Sequence, residues 1–272
     1  GRWRWAVDAD AWRPASGASG AEFQLLLSLL PEGEERAGPA ALPCAADRRR
    51  CLLGRLLSRR ACARAAGVEE FAALELGRTR GKKPFLLRPL PDGLPNFNFN
   101  VSHDGRWVVL ASDPLRLVGV DVAAPQRWRG DAEDDSWMED LFELLSDSER
   151  SRVRREDSVR GRYGVFQRLW SAKEAVTKAI GRGLDFSIER IEVALDGEVQ
   201  SAWPSWAQRG ACRSGEGAEG GGGGRAPGGH YAEVHIDGWP RPEWCLEQHA
   251  LPDGHWATVA LGPVEEVADK DG

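Results

Sequence analysis

The sequence predicts an α+β protein built from two similar halves, with its active site in the cleft between them. Three observations predict it. Helix-period and strand-period segments alternate along 272 residues, enough chain for one large domain or two modest ones. Leu29-Leu30-Pro31-Glu32-Gly33-Glu34-Glu35-Arg36 parallels Leu144-Leu145-Ser146-Asp147-Ser148-Glu149-Arg150, and an Arg-rich helix follows each after about twenty residues. Asp104-Gly105-Arg106-Trp107-Val108-Val109-Leu110-Ala111 recurs as Asp253-Gly254-His255-Trp256-Ala257-Thr258-Val259-Ala260, and Trp5-Ala6-Val7-Asp8 holds the place that Val118-Gly119-Val120-Asp121 holds later. The common order of these matches sets an N-terminal half at 1–115, a C-terminal half at 116–262 and a tail at 263–272. Sites often form between such halves.

The elements follow in order. Phe23–Leu30 and Arg48–Ala66 read as helices, the second with Leu52, Leu53, Leu56 and Leu57 on one face. Gly77–Leu94 is basic and rich in Gly and Pro, an ordered loop with one short strand. Phe97–Val101 alternates and Trp107–Ala111 is apolar; with Asp104-Gly105 between them they form a hairpin. Leu117–Val122 is a strand. Gln126–Ser136 is a polar loop carrying the acidic run Asp131–Asp135. Trp137–Leu145 is a helix, Ser148–Ile180 contains a long helical region, and Ile188–Leu195 is a strand. Ala207–Gly229 is low in complexity, with glycine alone at 220–224, and reads as a flexible insertion. No Gly-Lys-Ser/Thr follows that run, so it is no phosphate-binding loop. Tyr231–Ile236 and Trp256–Leu261 close the chain as strands.

Composition narrows the classes. A hydrophobic content of 42% with 12 Trp supports a packed core. The net charge of −6 argues against general nucleic-acid binding, although Arg is dense at 48–64 and 78–88. Cysteines at 44, 51, 62, 212 and 245 are odd in number and lack C-x-x-C spacing, which points away from a disulfide framework or zinc site and toward a reducing compartment. No apolar run approaches the ~20 residues of a membrane span. A soluble cytoplasmic protein is expected, or an organellar one if a segment before Gly1 has been removed.

Chemistry concentrates at Asp121, which ends an apolar strand, and at Glu174 and Lys178 in a helical stretch. Two carboxylates from separate elements suit Mg²⁺, which takes one or two carboxylates and completes its shell with water and substrate phosphates. A nearby lysine stabilises a phosphate leaving group. The pattern indicates phosphoryl or substituted-phosphoryl transfer. Against it stands an ordinary i,i+4 surface pair for Glu174 and Lys178, worth a few tenths of a kcal/mol, and a strand-end turn aspartate for Asp121.

Phe97-Asn98-Phe99-Asn100-Val101-Ser102-His103, Val118-Gly119-Val120-Asp121-Val122 and the segment from Trp170 to Leu184, with its Trp-x-x-Lys-Glu-Ala-x-x-Lys core, decide between these readings. Together they resemble the 4′-phosphopantetheinyl transferases, in their monomeric two-half eukaryotic form, over residues 3 to 262. The resemblance implies transfer of the phosphopantetheine arm of coenzyme A to a serine of an acyl or peptidyl carrier protein, with release of adenosine 3′,5′-bisphosphate. It implies Mg²⁺ held by Asp121 and Glu174, a proton taken by Glu174, and leaving-group charge offset by Lys178. It places coenzyme contacts at Asn100, Val101, Ser102 and His103, in the basic loop Arg78, Thr79, Arg80, Gly81, Lys82 and Lys83, and at Arg36. The family usually writes that loop with a single Gly-Lys-Pro, whereas here it is Gly-Lys-Lys-Pro. Many members carry a second acid two residues after the strand aspartate, where this chain has Ala123. The partners implied are coenzyme A and carrier domains, with no nucleic acid and no membrane. The alternative is a silent relative that binds coenzyme A or a carrier without transfer; Asp121, Glu174 and Lys178 together argue against it.

Overall fold

The computed structural model describes residues 1–87, 90, 93–125, 138–195 and 232–264. The architecture is α+β. The first half runs β1 (Trp3–Asp8), α1 (Ala21–Ser28), α2 (Glu34–Ala41), α3 (Ala45–Ala66), β2 (Leu76–Arg78), β3 (Pro84–Leu86), β4 (Asn98–Asp104) and β5 (Trp107–Asp113). From there follow β6 (Leu117–Ala123), α4 (Glu139–Phe142), α5 (Asp147–Arg154), α6 (Val159–Ile180), β7 (Ile191–Leu195), β8 (Ala232–Ile236), β9 (Trp239–Pro240), β10 (Cys245–Leu251) and β11 (His255–Gly262).

Two three-stranded antiparallel sheets form the centre, in the orders β1-β5-β4 and β10-β11-β6. β5 and β6 are buried along their whole length, as strands covered on both faces must be. On one side Leu57, Ala61 and Cys62 of α3 pack on Trp5, Phe99, Val108 and Leu110. The other face gives Trp107, Val109 and Ala111 to an apolar cluster shared with Val118, Val120, Val122 and Val259. Beyond β6 lies α6, whose Leu169, Val176 and Ile180 join the helices and strands of the second half.

The gap between β4 and β6 is closed by side chains instead of a backbone ladder. Val118 N–H donates to Asn98 Oδ1 at 2.9 Å, Val120 N–H to Asn100 Oδ1 at 2.9 Å, and Ala124 N–H to Asp104 Oδ2 at 2.7 Å. Each contact spans 20 residues, so the period-2 alternation of Asn98, Asn100, Ser102 and Asp104 keeps step with β6. Asn98 and Asn100 are buried, and satisfying these backbone donors offsets their desolvation.

Several expectations shift. The leucines of α3 divide between two neighbours: Leu52 and Leu56 meet Phe23 and Leu27 of α1, while Leu53 and Leu57 face the sheet. The basic loop contains two short strands, β2 and β3, paired to each other. The Trp137–Leu145 helix shortens to α4, and the region from Ser148 divides at Ser158, whose hydroxyl accepts the Gly161 N–H and caps α6. Ile188–Arg190 forms a 3₁₀ turn before β7, and α2, β9 and β10 were not read from the sequence. The acidic loop at 126–136 and the glycine-rich insertion at 207–229 fall outside the described residues. Among the described residues no helix is long and apolar enough to cross a membrane.

Candidate active site

Strand β6 and helix α6 cross with almost no space between their backbones. A Cβ on Gly119 would lie 2.0 Å from the Ala175 carbonyl oxygen and 2.4 Å from Ala179 N, so only glycine allows this approach. Ser171 Oγ donates to the Asp121 carbonyl at 3.3 Å and is hydrogen-bonded with the Thr258 hydroxyl at 3.0 Å, fixing the helix against the sheet at the aspartate itself. The crossing brings Asp121 beside Glu174 and Lys178, one helical turn apart and on the same face.

Asp121 is 6% exposed. Its Oδ1 accepts from Ser102 Oγ at 3.0 Å and from Lys178 Nζ at 2.5 Å, and Lys178 also reaches Ser102 Oγ at 3.1 Å. Glu174 is half-buried and forms no hydrogen bond among the described residues. Burial pushes the Asp121 carboxyl above its ordinary range although Lys178 and Ser102 pull the other way. Glu174 is raised too, first by burial, with Lys178 opposing and Asp121 adding repulsion. Burial and the cations Arg50 and Lys178 lower His103, leaving a neutral imidazole at physiological pH.

Two cavities meet here. The larger, about 680 Å³, is walled by α3 on one side and α6 on the other, with the β2–β3 turn across one end. Arg78, Gly81, Lys82, Lys83, Asn100, Val101, His103, Glu174 and Lys178 line it. The second, about 490 Å³, opens on the other side of the carboxylates and holds Ser102, Asp104 and Asp121 against an apolar wall of Leu141, Phe166 and Trp170. His103, Glu174 and Lys178 belong to both.

Some residues singled out in the sequence stand elsewhere. Arg36 lines neither cavity; its guanidinium donates to the Leu30 carbonyl at 2.7 Å and the Ser28 carbonyl at 3.2 Å, closing the end of α1. Arg80 is exposed and pairs with Asp185 at 3.6 Å. Thr79 Oγ1 donates to the Gly181 carbonyl at 3.2 Å and lies outside both cavities. The Asn100 amide oxygen is committed to β6, and the Lys83 ammonium is turned toward backbone carbonyls. Sequence reasoning missed Cys51, Gly54, Arg55 and Ser58, which line the larger cavity from α3 at i, i+3, i+4 and i+7. That stripe interrupts the leucine face of an Arg-rich helix, and its small and polar residues were the available signal.

The donor set suits a hard divalent cation. Asp121 and Glu174 offer oxygens alone, and an oxygen of Asp121 and both of Glu174 take no hydrogen bond among the described residues. No group of three or more His, Cys, Asp and Glu converges among the described residues. The fit is therefore to two carboxylates, with substrate phosphates and water completing the shell.

Residues 10–115 match the family model described as 4′-phosphopantetheinyl transferase, N-terminal, and residues 117–210 match that of the 4′-phosphopantetheinyl transferase superfamily. The chain is 35% identical over 269 residues to the L-aminoadipate-semialdehyde dehydrogenase-phosphopantetheinyl transferase of Xenopus laevis, covering 97% of this chain and 77% of that protein. The protein of the same description from Homo sapiens is 28% identical over 265 residues, with 95% and 74% covered. A phosphopantetheinyl transferase of Thraustochytrium is 35% identical over 199 residues, with 71% and 66% covered.

Proposed function

The chain belongs to the 4′-phosphopantetheinyl transferases, and from that premise we propose that Asp121, Glu174 and Lys178 transfer the phosphopantetheine arm of coenzyme A to a carrier-protein serine. The observation that carries this reading is the junction of two cavities at Glu174 and Lys178. The larger takes the nucleotide, with Arg55, Arg78 and Lys82 as cations for its phosphates and His103 as a neutral hydrogen-bond partner. The smaller admits the carrier serine along the apolar wall.

Asp121 and Glu174 would hold Mg²⁺ against the diphosphate. Bound there, the ion would supply positive charge that polarises the phosphoryl oxygens. Glu174, raised by burial and free of hydrogen-bond partners among the described residues, accepts the serine proton as the serine oxygen forms its bond to the pantetheine-bearing phosphorus. The bond from that phosphorus to the bridging oxygen breaks, and the charge left on adenosine 3′,5′-bisphosphate is met by the Lys178 ammonium. Lys178 now rests on Asp121 Oδ1 and Ser102 Oγ, so it turns from the aspartate to the leaving phosphate when substrate and cation enter. Ser102 remains with Asp121 and keeps that carboxylate oriented.

The two-half organisation also belongs to this reading. In each central sheet a hairpin pairs through its second strand to a single further strand, β1 with β5 and β6 with β11, and a long helix covers each sheet. The repeated order supports an internal duplication divided near residue 115, a cleft between the halves as the active site, and a monomer that needs no second copy to complete it.

Incubation of the protein with coenzyme A, Mg²⁺ and an apo carrier protein tests the proposal. The carrier should gain the mass of one phosphopantetheine arm on its serine, and chelation of divalent cations should stop the gain. A carrier of unchanged mass with every component present would overturn the assignment.

A further inference from the structure

Lys83 sits at the end of the β2–β3 turn, where the sequence places a phosphate-binding cation. Its neighbour Lys82 has a positive φ of 65°, and the chain re-enters β3 directly after Lys83. The Lys83 Nζ donates to the Val118 carbonyl at 2.7 Å and to the Ala179 carbonyl at 3.0 Å, with Asn98 Oδ1 at 3.5 Å. The two short contacts are to backbone carbonyls, one from the strand and one from the helix, and the Asn98 oxygen stands at the outer limit of a hydrogen bond. Val118 stands three residues before Asp121 on β6, and Ala179 directly follows Lys178 on α6.

Both carbonyls lie at the crossing where Gly119 lets strand and helix touch. The Ala179 carbonyl is one of the last four of α6 and has no partner within that helix. A cation there bridges two oxygens that would otherwise repel and also complements the negative end of the helix. The rest of the turn is fastened to the same end. Thr79 Oγ1 donates to the Gly181 carbonyl and accepts from Lys83 N–H at 3.1 Å, and a Cβ on Gly81 would lie 2.0 Å from the Gly181 oxygen.

We infer that Lys83 is a positioning residue: it sets the separation of the strand that carries Asp121 from the helix that carries Glu174 and Lys178, and it leaves coenzyme phosphate to Lys82. The inference rests on the metal-assisted reading of the site given above. An aliphatic side chain of similar length would fill the space but leave two backbone oxygens facing each other, and the carboxylates would lose their spacing.

The test compares wild type with Lys83→Met, Thr79→Val and Lys82→Met by three readouts. These are coenzyme A affinity without divalent cation, by calorimetry; Mn²⁺ affinity, by electron paramagnetic resonance; and kcat for transfer. Lys83→Met should leave cation-free coenzyme A binding within about twofold while Mn²⁺ affinity and kcat each fall ~10–100-fold, the range found when a residue that orients metal ligands is lost. Thr79→Val should shift the same two quantities in the same direction, and it carries the test should Lys83→Met fail to fold. Lys82→Met should instead weaken coenzyme A binding. A Lys83→Met protein that loses coenzyme A affinity tenfold with kcat intact overturns the inference, as does a folded Lys83→Met or Thr79→Val protein unchanged in Mn²⁺ affinity and kcat. The two binding readouts need no carrier. A wild type that binds Mn²⁺ and coenzyme A but modifies no carrier would therefore count against the proposed reaction and not against Lys83.

Discussion

Burial raises both Asp121 and Glu174 above the ordinary carboxylate range, and Lys178 only partly compensates. The folded state therefore holds these protons more tightly than the unfolded chain does. Above the raised values the ionised pair lowers stability, and that penalty fades as pH falls toward the ordinary carboxylate range near about 4. Asp121→Asn removes the charge while keeping an oxygen for Ser102 and Lys178. It should cost transfer about 10²–10³-fold, the magnitude seen when one preorganised electrostatic contact is lost. Its thermal midpoint at pH 8 should equal or exceed that of wild type, with the gain shrinking as pH is lowered; scanning fluorimetry across pH reads this directly. A lower midpoint at pH 8 would mean that the ion pair with Lys178 outweighs the desolvation of Asp121.

Helices α5 and α6 are joined by an ion pair that has no part in the proposed chemistry. Lys173 Nζ donates to Glu149 Oε2 at 2.8 Å and to the Leu144 carbonyl at 2.7 Å, with both side chains at 0% and 1% exposure. Glu149 also closes the capping box of α5 with Ser146 and accepts from Val193 N–H of β7 at 2.8 Å. Three elements thus meet at the residue that precedes Glu174. Lys173→Met alone should cost ~3–5 kcal/mol, because it strands a buried carboxylate. The double variant Glu149→Gln with Lys173→Met should cost less than the two singles added together, which urea unfolding will measure. Legibility stopped at this scale. The spacing Ser146-x-x-Glu149 announces a capping box, but its lysine partner depends on how two helices cross. Helix α2 was missed because Gly38 and Pro39 lie inside it, against local propensity. The alternation of Asn98, Asn100 and Ser102 was legible, but not that the polar face turns inward, since a half-exposed strand with the same pattern would turn it to water.

Across the whole molecule, the long helices and the strands β4, β5, β6, β7, β8 and β11 could be read from periodicity, and Asp121, Glu174 and Lys178 from their motifs. The pairing of strands distant in sequence, the placing of Arg36 outside the cavity and the contact of the Lys83 ammonium with two backbone carbonyls depend on packing that no local pattern encodes. One long-range pairing gives a direct test. Leu195 of β7 and Ala232 of β8 are cross-strand partners, so these two residues stand side by side in the fold. Removing 210–229 and rejoining the chain with a short linker should leave transfer activity and thermal midpoint unchanged, because that stretch lacks the apolar residues to belong to a core. Loss of either would make it a working part of the protein. The side-chain bridges between β4 and β6 act at the same scale. Each of these strands is the last in its sheet, and a bare strand margin is a template on which another chain can polymerise. By turning the two margins toward each other and filling the gap with Asn98, Asn100 and Asp104, the protein leaves neither exposed at this seam as a seed for fibrils or for exchange of strands between copies.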